Sequence, residues 1–255
     1  MLTHSEAFSL QGSLALVTGG GTGIGRAITD ALVKAGARVV VAGRRMEPLE
    51  ETAAAYPGKV FAYTYDVTQE QEVGNFLKRI HSELGTPTIL VNNAGIHLKK
   101  KAEEVTAEEF RKVLETHIVG AHALTAASIL LMREAGGGSI LYIASMASLF
   151  GIPYVVAYAA AKSAMLGVVR TLAVEYGGEN IRVNAIAPGW IETEMSRKAM
   201  EGDPERKRKV LGRTPLGRFG TPEDIGWAAV YLCSPAARFI TGTCLAVDGG
   251  ISIGF

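Results

Sequence analysis

Three side chains with usable chemistry stand in one short stretch: the hydroxyl of Ser145, the phenol of Tyr158 and the ammonium of Lys162. The Ala-rich run after Pro153 predicts a helix, and residues four apart on a helix share a face. Tyr158 and Lys162 are therefore expected one turn apart, pointing the same way. A free phenol titrates near pH ~10 and is a poor base at neutrality. A cation ~4 Å away, at an effective dielectric of ~20, is worth roughly 4 kcal/mol, or about three pKa units. Burial opposes part of that shift. Such a pair can serve as general acid or base near working pH. The same spacing also suits a core tyrosine beside a surface lysine, so the rest of the chain decides between the two.

The elements that would position these groups begin with a short apolar strand, Ser13 to Thr18. A glycine-rich string, Thr18–Gly25, follows it and opens a helical pattern with Gly36 as its stop. Strand, glycine turn and helix N-terminus together form a setting that holds a pyrophosphate. The spacing is T-G-x-x-x-G-x-G, not the literal G-x-G-x-x-G. The second strand, Arg38 to Ala42, ends in Gly43, Arg44 and Arg45. Its end faces the adenosine ribose, where an acid favours NAD and an arginine accommodates a 2′-phosphate. Two guanidinium groups and no carboxylate at the strand's end favour NADP, with Glu47 nearby leaving NAD open. A third strand, Val60 to Tyr65, runs into Asp66 and Val67; Asp66 is placed either to accept from the adenine amino group or to cap the next helix. A fourth, Thr88 to Val91, runs into Asn92-Asn-Ala94-Gly95, where small and amide residues let backbone and cofactor approach.

Composition agrees with a globular α/β protein. The chain has 255 residues, 48% apolar and 20% charged, with a net charge of +1. That balance gives no field that would steer it to nucleic acid. Cys233 and Cys244 form no metal or redox spacing, so a reduced, cytoplasmic setting is expected. Met1 to Gln11 lacks a signal pattern. The charge-free run Ala135–Ala161 is long enough for a membrane helix, but its glycines, Pro153 and hydroxyls fit a buried strand, a loop and a helix start. Without repeats or linkers, one domain spanning 1–255 is expected.

Taken together, Thr18–Gly25, Asn92–Gly95, Ser145 and Tyr158-Ala-Ala-Ala-Lys162 resemble the short-chain dehydrogenase/reductase family over nearly the whole chain. Asn184–Gly189, Ile191-Glu-Thr193 and Asp248-Gly-Gly250 fit as well. The resemblance implies a single Rossmann-type, doubly wound parallel sheet of about seven strands with helices on both faces, and hydride transfer between a nicotinamide and an alcohol or carbonyl. It implies that Ser145 polarises the substrate oxygen and that Tyr158 exchanges a proton with it. Lys162 lowers the Tyr158 pKa and binds the nicotinamide ribose. Gly19, Thr22, Ile24 and Gly25 form the phosphate turn, and Asn92 lies along the cofactor. Pro188, Gly189, Ile191 and Thr193 flank the nicotinamide end. One position departs: His117 stands where family members often carry an asparagine whose backbone holds a relay water. It reads either as a relay member or as a histidine packed in its helix.

Two charged segments are expected beside the substrate: Ile96–Lys101, of which His97–Lys101 resembles the gluconate 5-dehydrogenase branch, and a lid at about 194–213. A cation from either suits a carboxylate-bearing substrate such as a sugar acid. The interspersed acids equally suit a solvated surface. A 3-oxoacyl-carrier-protein reductase is the near alternative, against which Gly136 and Val174 stand where that branch docks its carrier with arginines. A non-catalytic dinucleotide-binding scaffold is the alternative of another class. The resemblance also implies a homodimer or homotetramer built through helices around Glu108–Arg133 and Val155–Glu175, with the apolar tail Ile251–Phe255 packing on a neighbour or on its own chain.

Overall fold

Aliphatic runs without polar alternation are the mark of strands covered on both faces. In the computed structural model, which describes residues 2–194, 196–197 and 204–254, the first such run is β1, Leu14–Thr18, buried at every position. It is joined by β2 (Arg38–Gly43), β3 (Val60–Thr64), β4 (Ile89–Asn92), β5 (Gly138–Ile143), β6 (Ile181–Pro188) and β7 (Cys244–Val247). The seven pair in parallel in the order β3-β2-β1-β4-β5-β6-β7. The expected doubly wound sheet is therefore present, and the first four strands fall within a residue of their expected limits.

Parallel pairing requires crossovers, and helices supply them. Among the described residues the α-helices with defined limits are α1 (His4–Phe8), α2 (Gly23–Lys34), α3 (Met46–Ala54), α4 (Val73–Leu84), α5 (Ala107–Leu114), α6 (Gly120–Glu134), α7 (Val156–Tyr176), α8 (Pro204–Gly212) and α9 (Pro222–Cys233). On one face of the sheet, Phe76 of α4, Leu124 of α6 and Met165 of α7 pack with Leu90 and Ile140. On the other, Ile28 and Leu32 of α2 and Ile225 of α9 pack with Val17 and Val91. Gly36, at φ +102°, ends the α2 stretch as expected. The charge-free run divides into β5, a loop and the start of α7, also as expected. The continuous helical stretch Ala107–Glu134 is long and apolar enough to cross a membrane. Leu124, Ile129 and Met132 on it are instead buried in the core.

Within the segment expected as a lid, Pro204–Gly212 form α8. Met195 and residues 198–203, including Lys198, Glu201 and Asp203, lie outside the described residues, as does Phe255.

Candidate active site

The sheet order reverses between β1 and β4, and open α/β sheets bind ligands at such a point, beyond the strands' carboxyl ends. The two strings that end these strands are tied together there. The Thr18 hydroxyl oxygen accepts from the Asn93 and Ala94 amides, each at 3.0 Å. Asn93 Nδ2 donates to the carbonyls of Thr18 and Gly19, at 2.8 and 3.2 Å. Gly19 holds φ +66°, in the left-handed region. Under it sits Gly25, where a Cβ would lie 2.1 Å from the Gly19 carbonyl oxygen. The glycines therefore bring the N-terminus of α2 against the end of β1, leaving no room for a side chain.

A cleft of about 200 Å³ opens above this junction. Of the residues expected to hold a dinucleotide, Gly19, Thr22, Arg44, Arg45, Asp66, Val67, Ala94 and Gly95 line it. Sequence reasoning missed Gly21, Tyr65, Thr68, Ile96 and Thr116, which line it too. Tyr65 stacks on Phe76 at 4.1 Å, so the adenosine end has a rigid aromatic floor. Asp66 borders the cleft, and its Oδ1 accepts from the Thr68 amide and hydroxyl at 3.0 and 2.9 Å, closing a local turn before the next helix and not capping it.

Other expected contacts stand apart from the cleft lining. Ile24 packs partly buried against the core, and Gly25 supports the turn from below. Asn92 is a correction. Its side chain is buried and its Nδ2 donates to Thr125 Oγ1 at 2.9 Å, inside the protein and not along the cleft. Period-two alternation explains this: Asn92 ends β4 facing α6, whereas Asn93 turns toward β1. Beyond β6, Pro188 and Gly189 adjoin Asp248, where a Cβ on Gly189 would be 2.6 Å from its Cα. Ile191 is a core residue bridged to Gly220. Thr193 faces the glycine turn, its methyl 3.7 Å from where a Gly23 Cβ would be.

The proton-handling groups stand at the end of β5 and on the first turns of α7. Ser145 caps a short helical turn, its Oγ accepting from the Ala147 amide at 3.1 Å, and its side chain is near enough to the Tyr158 hydroxyl to favour the phenolate. Ala157 and Ala161, both buried, let α5 approach through Val113. That contact fixes the rotation of α7, turning Lys162 inward. Lys162 Nζ donates to the Ile143 carbonyl and lies 5.5 Å from the centre of the Tyr158 ring. The expected lowering of Tyr158 is not what this arrangement gives. Burial raises the Tyr158 phenol, opposed only by the Ser145 side chain, and lowers Lys162 to about 7. In the ligand-free protein the burial of the phenol outweighs what its neighbours offer the phenolate.

Two imidazoles flank the same phenol: His97 at 5.2 Å between ring centres and His117 at 5.6 Å, edge-on. Of the expected cations, Lys100 is paired with Glu109 at 3.0 Å, while its amide donates to the Tyr154 carbonyl at 2.8 Å. Lys99 and Lys101 are exposed. Arg213, just past α8, lies 5.9 Å over the ring of Phe150 in the catalytic loop.

A family model described as enoyl-(acyl carrier protein) reductase matches residues 19–252. The chain is 39% identical over 248 residues to the 2-dehydro-3-deoxy-D-gluconate 5-dehydrogenase of Bacillus subtilis, covering 96% of each. It is 34% identical to the 3-oxoacyl-[acyl-carrier-protein] reductase of Thermotoga maritima, covering 96% of this chain and 99% of that protein. Among solved structures, a gluconate 5-dehydrogenase from Burkholderia cenocepacia in complex with NADP and tartrate superposes with a TM-score of 0.95 at 29% identity, covering 99% of this chain and 100% of that one.

Proposed function

Because this chain belongs to the short-chain dehydrogenase/reductase family, an oxidoreductase family, we propose that it moves a hydride between NADP(H) and a secondary alcohol or ketone, with a sugar acid as the substrate class. The observation that carries the reading is the placement of Ser145, Tyr158 and Lys162 at the carboxyl end of the sheet, beside a cleft whose walls include Arg44 and Arg45. The residues fit a dinucleotide: the Gly19–Gly25 cradle excludes any Cβ, and the two guanidinium groups suit a 2′-phosphate.

When bound, the nicotinamide supplies or takes up the hydride at the substrate carbon. The chain's own part is proton handling. In reduction Tyr158 gives its proton to the substrate oxygen; in oxidation it removes one. Ser145 holds that oxygen. Lys162, at about 7 in the ligand-free protein, gains charge when hydroxyl and anionic groups fill the site, and then favours the phenolate. Gly19, Thr22, Gly25 and Arg44–Arg45 would hold the phosphates, with Asp66 and Val67 at the adenine. Thr193 closes the other side.

The sugar-acid reading is supported by the tartrate and gluconate names among the relatives and by Arg213, which reaches the catalytic loop. The carrier-protein alternative has its own support in the Thermotoga relative. Against it, Val174 is 85% exposed and uncharged where a docking arginine is expected. We further take the chain as one cytoplasmic domain that assembles as a homodimer or homotetramer. Leu130 on α6 and Val174 on α7, 57% and 85% exposed, support that assembly.

The test is NADPH consumption, with NADH alongside, across sugar keto acids, their uncharged analogues and an acyl-carrier substrate. Turnover confined to keto acids supports the proposal. Turnover confined to the acyl carrier replaces it with the alternative, and cofactor binding without any turnover favours a scaffold.

A further inference from the structure

The helical stretch 107–134 is interrupted by a π-helical turn, Glu115–Val119, in which the Gly120 amide bonds to the Glu115 carbonyl five residues back. Such turns insert one extra residue and cluster at functional sites. The residue this one drives inward is His117, which is 2% exposed. Gly120 follows at once and packs on the Val67 carbonyl, where a Cβ would be 2.1 Å away. The turn is therefore wedged against the cleft wall.

The imidazole is held by one backbone unit. His117 Nε2 lies 2.8 Å from the Ile96 carbonyl oxygen and 3.1 Å from the Ile96 amide nitrogen. It donates to the first in one neutral tautomer and accepts from the second in the other. The ring itself lies on Gly95: a Cβ there would be 2.3 Å from Cε1 and 3.0 Å from Nδ1. From Ile96 the chain runs to Lys100, whose amide bonds to the Tyr154 carbonyl. Tyr154 is held at φ +69°, a strained conformation for a side-chain-bearing residue. The segment 95–100 is thus pinned at one end by His117 and at the other by the catalytic loop, with Ile96 and Leu98 packed on Ala157 and Ala161 between.

Resting on the functional reading above, we propose that His117 is a positioning residue: it clamps the Gly95–Ile96 backbone and so sets the substrate-facing wall beside Tyr158. Burial, with the Lys162 charge and His97 adding to it against the Ile96 hydrogen bond, lowers the imidazole to about 3. The ring therefore stays neutral at working pH, with one donor and one acceptor nitrogen to offer the Ile96 backbone.

The test compares His117→Ala, His117→Gln and Gly95→Ala, alone and combined. Each is measured with the carbonyl compound that the wild-type protein reduces fastest. Loss of the clamp in His117→Ala raises KM about tenfold with a smaller change in kcat, the scale of a lost buried hydrogen bond. NADPH affinity and the pH profile of kcat/KM stay where they are. His117→Gln recovers most of the KM, because an amide offers both a donor and an acceptor to Ile96. An unchanged KM in His117→Ala, or a displaced pH profile, overturns the clamp. A second arm needs no turnover. Gly95→Ala lowers the thermal midpoint in the wild-type background, and His117→Ala relieves most of that drop, since the added methyl meets the ring. Independent, additive drops overturn the clamp as well. If the wild-type protein reduces no carbonyl compound at all, the functional reading fails and the thermal coupling alone decides the inference.

Discussion

The two halves of the site are built by different means. At the nucleotide half one wall is built from backbone and small residues, Gly19, Gly21, Ala94 and Gly95, and Thr18 and Asn93 lock the two strand ends beneath it by hydrogen bonds. At the substrate half it is side chains on separate elements. Tyr158 and Lys162 come from α7, Ser145 from the end of β5, His97 from a loop, and Arg213 from beyond α8. A backbone cradle binds what every dinucleotide shares. A set of separately mounted side chains decides what else reacts. Changes at the first half should act through close packing and affinity, and changes at the second through chemistry and selectivity.

The sharpest break between them is Tyr158→Phe. Removing a general acid costs about 10²–10⁴-fold, so kcat should fall by that factor. NADPH affinity, read by fluorescence titration, should hold within about twofold, as the remaining ring still fills its place. Residual turnover near wild type would end the proton-transfer assignment, and lost cofactor affinity would mean that the two halves are not separable.

Lys162 gives the next largest effect, and it appears in stability. Its folded pKa of about 7 lies below its unfolded value. Between pH 7 and roughly pH 10 the unfolded chain therefore binds a proton that the folded protein does not. Stability of the ligand-free protein should rise with pH across that window, through this group, by about a few kcal/mol. Below pH 7 the penalty of burying the charge is fully present. Denaturant titration at pH 7 and pH 9.5 reads it, and Lys162→Met should flatten the difference while abolishing turnover. Added NADP(H) should also flatten it if the occupied site favours the ammonium form. A pH-independent wild-type stability would place the charge in a wetter setting than the burial of Nζ implies.

The contrast also marks what could be read from the chain alone. Close-packed glycines leave a spacing in the sequence, and so Gly19, Gly25 and Gly95 were legible, as were the strands that end beside them. Asn92 and Asn93 were not separable. Both are amides at a strand end, and only the pleat decides which one turns to the turn and which to Thr125. The Tyr158–Lys162 spacing was legible too, but not its electrostatics. Pairwise Coulomb attraction can be estimated from helix geometry, whereas the desolvation of Lys162 depends on everything packed around it. His117 was visible as a departure, but its role was hidden. A π-helical turn has no periodicity signal of its own, and the ring's partner, the Ile96 backbone, lies 21 residues away.

Gly25→Ala sharpens the nucleotide side. The added methyl would meet the Gly19 carbonyl at 2.1 Å and the Asn93 amide at 2.5 Å. Overpacking of this kind costs about 1–3 kcal/mol, which for a chain of this size lowers Tm by roughly 2–10 °C. The distortion falls on the turn itself, so NADPH affinity should drop by about tenfold or more, the equivalent of ~1.4 kcal/mol. A variant that folds with wild-type affinity would show the cradle to be more forgiving than its packing suggests.

The smallest effect is the most informative about substrate. Arg213 is exposed, and a cation–π contact with Phe150 anchors it to the catalytic loop, worth about 0.5–1 kcal/mol at an exposed site. Removing its charge in Arg213→Gln should therefore leave fold and cofactor binding unchanged. If it meets a substrate carboxylate, the partly screened pair is worth about 1 kcal/mol, and KM for a keto acid should rise about fivefold. An uncharged ketone of the same size shares every other contact, so its KM should stay constant. Raising the salt concentration should shrink the difference between the two substrates in the wild-type protein and leave it unchanged in the variant. Equal effects on charged and uncharged ketones would instead assign Arg213 to holding Phe150, and the acid preference would then have to come from another cation of the two charged segments, such as Lys99 or Lys101.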